Sequence, residues 1–130
     1  MENGSATPGD NAPRPTTFDL IQPLGRLRVS YTDGFGNAND RLDNVRAGLF
    51  AIATGTIRDI HLHGDDDEPR ATFTLVGPTG DSAIVAVGSD AHYEFFGDLV
   101  NGRSATVHGT VVRPFPNSPA HLQMVSLHHA

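Results

Sequence analysis

Residues 51–57 read Ala-Ile-Ala-Thr-Gly-Thr-Ile, and residues 105–111 read Ala-Thr-Val-His-Gly-Thr-Val. Both stretches lie in longer segments, 49–60 and 103–113, that are rich in the apolar and β-branched residues typical of strands. A central glycine tolerates a sharp bend and the close approach of a neighbouring backbone, which strands need in order to close into a small barrel. We therefore expect two paired, curved strands.

The segments around these stretches predict three further strands. Residues 70–75 alternate apolar with polar side chains and end at a Gly- and Pro-containing turn. Residues 82–87, SAIVAV, form a short apolar run bounded by turn residues, which is typical of a buried strand. Residues 122–127 predict a last strand. Either its even-numbered or its odd-numbered residues face the core, and the sequence leaves both alternatives open.

One helix is predicted, between the strands at 82–87 and 103–113. The segment 91–101, AHYEFFGDLVN, can be capped by Ser89 or Asp90 and ends at Asn101-Gly102. Its apolar face consists of Phe95, Phe96, Leu99 and Val100. The predicted order is therefore strand, strand, strand, helix, strand, strand.

This order, together with the two glycine-centred stretches, resembles the OB-fold nucleic-acid-binding domain family over about residues 48–128. The resemblance implies an all-β fold, a five-stranded Greek-key barrel with one short helix between its third and fourth strands. We expect the barrel to occupy residues 47–130 and an N-terminal extension with an extra strand-like segment to occupy 18–46. Residues 1–17, rich in Gly, Pro and small polar types, are expected to be a disordered tail.

The extension is expected to cover an apolar patch. Phe50 and Ile52 point out of the barrel if no bulge intervenes in their strand. Since a contiguous exposed apolar patch is unusual on a monomer, the segment 18–31 or a second subunit should pack there.

The segment 33–40, DGFGNAND, is interpreted as a turn. For the next segment, 41–50, the sequence leaves two alternatives open, one helical turn or a lead-in to the next strand.

Composition excludes several classes of protein. The absence of cysteine rules out disulfides and thiolate chemistry, and the chain lacks an apolar run long enough to cross a bilayer, so a cytoplasmic protein without a membrane partner is expected. The formal net charge of −6 argues against strong non-specific polyanion binding. All nine basic residues are arginines, which offer bidentate contacts to phosphate and base edges.

We expect neither an enzyme nor a cofactor, because the sequence contains no GxSxG, HExxH or GxxxxGK[ST] motif. His61 and His63 precede the acidic run 65–68, so nitrogen and oxygen donors occur together. A third ligand at a diagnostic spacing is missing, and no metal site is predicted.

The resemblance directs attention to the second and third barrel strands and to the loops after the first and fourth. The implied partner is single-stranded nucleic acid, with arginines on phosphate and an aromatic ring stacked on a base. The implied binding residues are Arg58, Arg70, Thr72, Thr74, Arg103, Arg113, Phe115 and Tyr93. Phe115, beside an arginine in a loop, is the leading candidate for stacking.

Two features favour a different partner. The acidic run 65–68 repels phosphate, and the strand 82–87 carries aliphatic rather than aromatic residues. The alternative is a protein–protein interaction or assembly module without nucleic-acid binding. Such a module would form a homo-oligomer through the outer face of the first barrel strand, or direct its acidic loop to a basic partner.

Overall fold

Seven strands and one short α-helix form the part of the chain that the computed structural model describes, residues 24–65, 67–116 and 118–130. The strands are β1 (Arg28–Thr32), β2 (Asn37–Arg41), β3 (Phe50–Gly64), β4 (Pro69–Val76), β5 (Ser82–Val87), β6 (Ser104–Val112) and β7 (His121–His129). Helix α1 spans Ser89–Phe95. The predicted tail 1–17 and the first residues of the predicted extension lie outside the described residues.

Five strands close into a barrel. β3 pairs antiparallel with β4, and β4 pairs antiparallel with β5. β5 then runs parallel to β7, β7 pairs antiparallel with β6, and β6 returns to β3. This closed order, with α1 between the third and fourth barrel strands, is the Greek-key topology of an OB-fold. The predicted fold class is confirmed.

Gly55 and Gly109 lie where neighbouring backbones approach closely. A Cβ at Gly55 would stand 2.6 Å from the carbonyl oxygen of Val76, and a Cβ at Gly109 would stand 2.5 Å from that of Gln123. Gly55 pairs with Ala105, and Gly109 pairs with Ala51, so the two similar stretches are partners in one ladder. Only a residue without a side chain fits such positions.

The core is formed by side chains that point inward from all five barrel strands and from the extension. Its largest fully buried side chains are Phe73, Leu42, Ile57, Leu75, Leu122, Val85, Val87, Val107 and Val111. The predicted inward positions of β4 are confirmed, because every second residue from Ala71 to Leu75 is buried. In β7 the even-numbered residues Leu122 and Met124 face the core, and after them the odd-numbered Leu127 does. Each of the two predicted alternatives therefore holds in part, because a bulge opposite Gly109 shifts the buried positions.

The N-terminal extension lengthens the sheet and leaves its outer face open. β1 hydrogen-bonds to the edge of β3, with Tyr31 opposite Ala51, and Arg41 donates to Asp81 Oδ2 at 2.8 Å. Phe50 and Ile52 are 45% and 37% exposed, and they share a hollow with residues of β1 and β2, so the described part of the extension flanks them without covering them. Packing of residues 18–23 or of a second subunit on them stays a prediction. A strand added at an edge lies beside its neighbour, so its side chains continue the same two faces.

The segment 33–40 contains a turn and the start of β2, so its interpretation as a turn alone is wrong. The turn closes where the Asp33 N–H donates to the Gly36 carbonyl at 3.4 Å. The residues of β2, NANDR, have low strand propensity. They are held by pairing with β1 and by a hydrogen bond of 2.8 Å between the Ser30 and Asn39 side chains. A 3-10 turn, Leu42–Asn44, follows and settles the question left open for 41–50.

Helix α1 is shorter than predicted. It begins at Ser89 and ends at Phe95, and a 3-10 turn continues it over Phe96–Asp98. Gly97 and Asp98 are poor helix formers, which accounts for the early end. Phe95 and Leu99 pack against the core, whereas Phe96 points to solvent, so the expected apolar face is only partly inward. No helix in the described ranges has the length and apolar character needed to cross a membrane.

His121, at the start of β7, is expected to make the stability of the fold depend on pH. Burial lowers the pKa of His121 below its ordinary value of 6.5. As the pH falls below about 6.5 the unfolded chain takes up this proton before the folded chain does, so the free energy of unfolding should decline until the lowered pKa is passed. Between about pH 7.5 and about pH 5.5, the free energy of unfolding measured in urea should decline less for His121→Gln than for the unmodified protein. Equal declines in the two proteins would contradict this role.

Candidate functional site

Cross-strand pairing collects polar side chains on the outer surface of β3 and β4. Directly paired residues of an antiparallel ladder point to the same side of the sheet. Arg58 pairs with Thr74, His61 with Thr72, and His63 with Arg70. We call this surface the β4 face, and its members are Arg58, His61, His63, Arg70, Thr72 and Thr74.

A β-bulge in β3 determines which residues belong to the β4 face. The register shifts between Arg58 and His61, and Asp59 within the bulge adopts a positive φ of 53°. Without an extra residue, side chains two apart would share a side, and Arg58 and His61 would point in opposite directions. The bulge therefore places both histidines on the same surface as Arg58.

A shallow hollow of about 360 Å³ lies at one end of the β4 face. Its polar lining comes from His63, Arg70 and Thr72 and, on β7, from Gln123, and the His63 Nε2 lies 3.0 Å from the Thr72 Oγ1. The small residues Ala86 and Gly88 also line it, which leaves room for a flat group to approach the sheet. The hollow is thus polar on the β4 side and open to solvent.

Arg58 and Arg103 flank the junction between β3 and the start of β6. The Ile57 N–H donates to the Arg103 carbonyl at 2.9 Å, and the Gly102 N–H donates to the Ile57 carbonyl at 2.7 Å. A Cβ built on Gly102 would lie 3.7 Å from the Arg58 Nη1, so the Arg58 guanidinium reaches over this glycine. Both arginine side chains are exposed there.

Arg113 and Phe115 lie in the loop between β6 and β7. Arg113 Nη1 donates to the Ser118 carbonyl at 2.7 Å and Nη2 to the Asp43 carbonyl at 2.5 Å. Its guanidinium is therefore occupied by bonds within the chain and ties the loop to the extension. The Phe115 N–H donates to the Ser118 Oγ at 3.1 Å, and that hydroxyl donates to the Phe115 carbonyl at 2.9 Å. The exposed Phe115 ring thus stands on a hydrogen-bonded loop.

Tyr93 lies beside the acidic loop between β3 and β4. Its hydroxyl donates to the Asp67 carbonyl at 3.4 Å. Within this loop the Asp65 Oδ1 accepts the N–H groups of Asp67 and Glu68 at 3.0 and 2.9 Å. Tyr93 is therefore bonded to the backbone of the acidic loop and does not lie among the arginines of the predicted binding set.

His61 and His63 were considered from the sequence only as metal ligands. Their ring centroids are 6.5 Å apart. Within the described ranges, no group of three or more His, Cys, Asp or Glu side chains is arranged to hold a metal ion. Their place on the β4 face was missed because the predicted strand ended at Ile60, whereas β3 continues to Gly64. The alternation in the residues IHLH was the available signal that the strand continues, whereas the face on which the histidines lie depends on the bulge.

The structure brings four of the predicted binding residues together, Arg58, Arg70, Thr72 and Thr74, and the backbone of Arg103 is hydrogen-bonded to Ile57, which precedes Arg58. A scan against models of protein families finds none that matches this chain, and a search among curated proteins finds no significantly similar sequence. The functional conclusion therefore depends on the fold and on the geometry of the β4 face.

Proposed function

We propose that this protein is a non-enzymatic OB-fold protein that binds single-stranded nucleic acid across the β4 face. The observation that supports the proposal best is the ladder of paired side chains in which Arg58, His61, His63 and Arg70 share one outer surface with two threonines. Arginine and hydroxyl groups are the usual partners of phosphate oxygens, and OB-folds bind their ligands on the corresponding strands.

The chemistry assigns separate roles along this surface. Arg58, Arg70 and Arg103 would neutralise successive phosphates, and Thr72 and Thr74 would donate hydrogen bonds to phosphate or sugar oxygens. The hollow beside Arg70 would admit a base or a sugar, because small side chains line it. In this proposal Phe115, exposed on its loop, supplies the ring on which a base stacks, which is worth about 1–3 kcal/mol per base.

Carboxylates next to the β4 face favour one phosphate backbone over two. Asp65 lies with His63 and Arg70 around a second hollow, and Asp67 and Glu68 are exposed in the same loop. A duplex would bring a second line of phosphates towards these carboxylates, where like charges repel. We therefore expect a preference for single strands and only moderate affinity.

Fluorescence anisotropy with a labelled oligo-dT and a matched duplex tests the proposal. The single strand should bind more tightly than the duplex. If three arginines contact phosphate, its affinity should fall roughly tenfold to twentyfold between about 50 mM and about 200 mM salt. Absence of binding to either probe at low salt would exclude nucleic-acid binding and favour the alternative of an interaction module.

Replacing Arg58 and Arg70 together by alanine is expected to weaken oligo-dT binding about tenfold or more at low salt and to flatten the salt dependence, because two phosphate contacts are lost. Arg46→Ala is the matched control, since Arg46 is exposed in the loop before β3 and lies outside the β4 face. An affinity of the double variant equal to that of Arg46→Ala would place the binding surface elsewhere.

A further inference from the structure

A second surface of the molecule carries large apolar side chains that the β4 face does not use. Leu62 is 74% exposed, Phe96 is 63% exposed and Tyr93 is 58% exposed. Together with His92 we call them the α1 patch. Contiguous exposed apolar side chains of this size mark interaction sites on soluble proteins.

The members of the α1 patch form one surface. The His92 ring stacks on the Phe96 ring, with centroids 5.9 Å apart and an interplanar angle of 19°, as residues four apart on a helix can. The Tyr93 ring meets His92 edge-on at 6.5 Å. Leu62 and His92 line one hollow of about 240 Å³, which Pro69 also lines. The hollow can therefore receive an apolar side chain.

Carboxylates flank the α1 patch on the side of the loop between β3 and β4. The Tyr93 hydroxyl is bonded to the Asp67 backbone, and the exposed Glu68 follows Asp67 in the loop. Asp65 lines the hollow itself, whereas Glu94 lies on the other side of α1, in a hollow that Gln123 and Val125 of β7 also line. His63 and Arg70 line the hollow from the side of the β4 face. A ligand on this patch thus meets apolar contacts beside an acidic border, which the loop between β3 and β4 forms.

We propose that the α1 patch docks a segment of a partner protein that carries one or two large apolar side chains flanked by lysine or arginine. The apolar side chains would enter between Leu62 and Phe96, and the flanking cations would face Asp65, Asp67 and Glu68 of the acidic loop. This surface adjoins the proposed nucleic-acid site at His63 and Arg70, but its apolar side chains lie outside that site, and its occupation does not depend on that site being correct.

The charges decide between the possible occupants. Phosphate would be repelled by the acidic border, which disfavours nucleic acid. A second copy of the chain would bring the same carboxylates against themselves. Residues 1–23 of the chain contain three carboxylates and one arginine, so they do not complement the border either. A cationic, apolar segment of another protein is the occupant that fits both properties of the surface.

Peptide titration of the full chain, labelled with nitrogen-15, tests the proposal. The probe is a short peptide with leucine and phenylalanine at its centre and two arginines on each side. One control peptide replaces the arginines by glutamates, and the other replaces the two central residues by alanines. We expect the probe to perturb the amide resonances of Leu62, of residues 92–96 and of Asp67, and both controls to bind about tenfold more weakly or worse.

Protein variants distinguish specific docking on the α1 patch from a general attraction of the cationic peptide to acidic residues. Leu62→Ser with Phe96→Ser should weaken probe binding about tenfold or more, whereas Phe35→Ser, which removes an exposed phenylalanine elsewhere, should leave it unchanged. Oligo-dT binding should be the same in all three proteins. If the double variant is not folded by circular dichroism, Asp67→Asn with Glu68→Gln should weaken the probe instead. Absence of probe binding, equal affinities in the variants, or perturbations confined to the β4 face would overturn the proposal.

Discussion

Replacing Phe73 by alanine is expected to lower the free energy of unfolding by about 3–5 kcal/mol. Phe73 is 1% exposed and points from β4 into the barrel, with Val85 directly opposite on β5. Truncation removes apolar contacts and leaves a cavity, which the neighbouring strands cannot fill because hydrogen-bonded ladders on both sides hold them in place.

Urea unfolding followed by circular dichroism measures this effect. Phe35→Ala is the control, because Phe35 is 98% exposed in the turn between β1 and β2 and its loss should change stability by no more than about 0.5 kcal/mol. If the two variants unfold at the same urea concentration, Phe73 is not the central core residue that the fold requires.

The second large effect is expected at Gly109, where alanine should cost about 1–3 kcal/mol. Its Cβ would meet the Gln123 carbonyl at 2.5 Å, a backbone atom that moves only if β7 shifts against β6. Gly97→Ala is the matched control, since a Cβ there meets nothing within 4 Å. We expect that control to be neutral or slightly stabilising, because alanine restricts the unfolded chain. Equal stabilities of the two variants would contradict the close approach of the strands.

The sequence predicted the barrel well because its signals are local. Alternation marks β4, a bounded apolar run marks β5, and the two glycine-centred stretches identify β3 and β6 as partners. β2, by contrast, was not predicted as a strand, and the reason is physical. Its residues have little strand propensity, and pairing with β1 overrides that preference.

The candidate site was less accessible to prediction than the fold. Arg70, Thr72 and Thr74 follow from the alternation of β4, whereas the inclusion of His61 and His63 depends on a bulge that has no sequence signature here. The engagement of Arg113 by the Asp43 carbonyl links positions far apart in the chain, which only the folded structure brings into contact.

By itself the sequence determined the order of the barrel strands, the inward positions of β4 and the need for glycine at two places in the ladder between β3 and β6. These properties depend on periodicity and side-chain size, which each short segment carries. The tertiary structure alone decided which polar side chains share the β4 face and which apolar ones gather beside the acidic loop. Strand register and bulges set that arrangement, because one inserted residue transfers every following side chain to the opposite face.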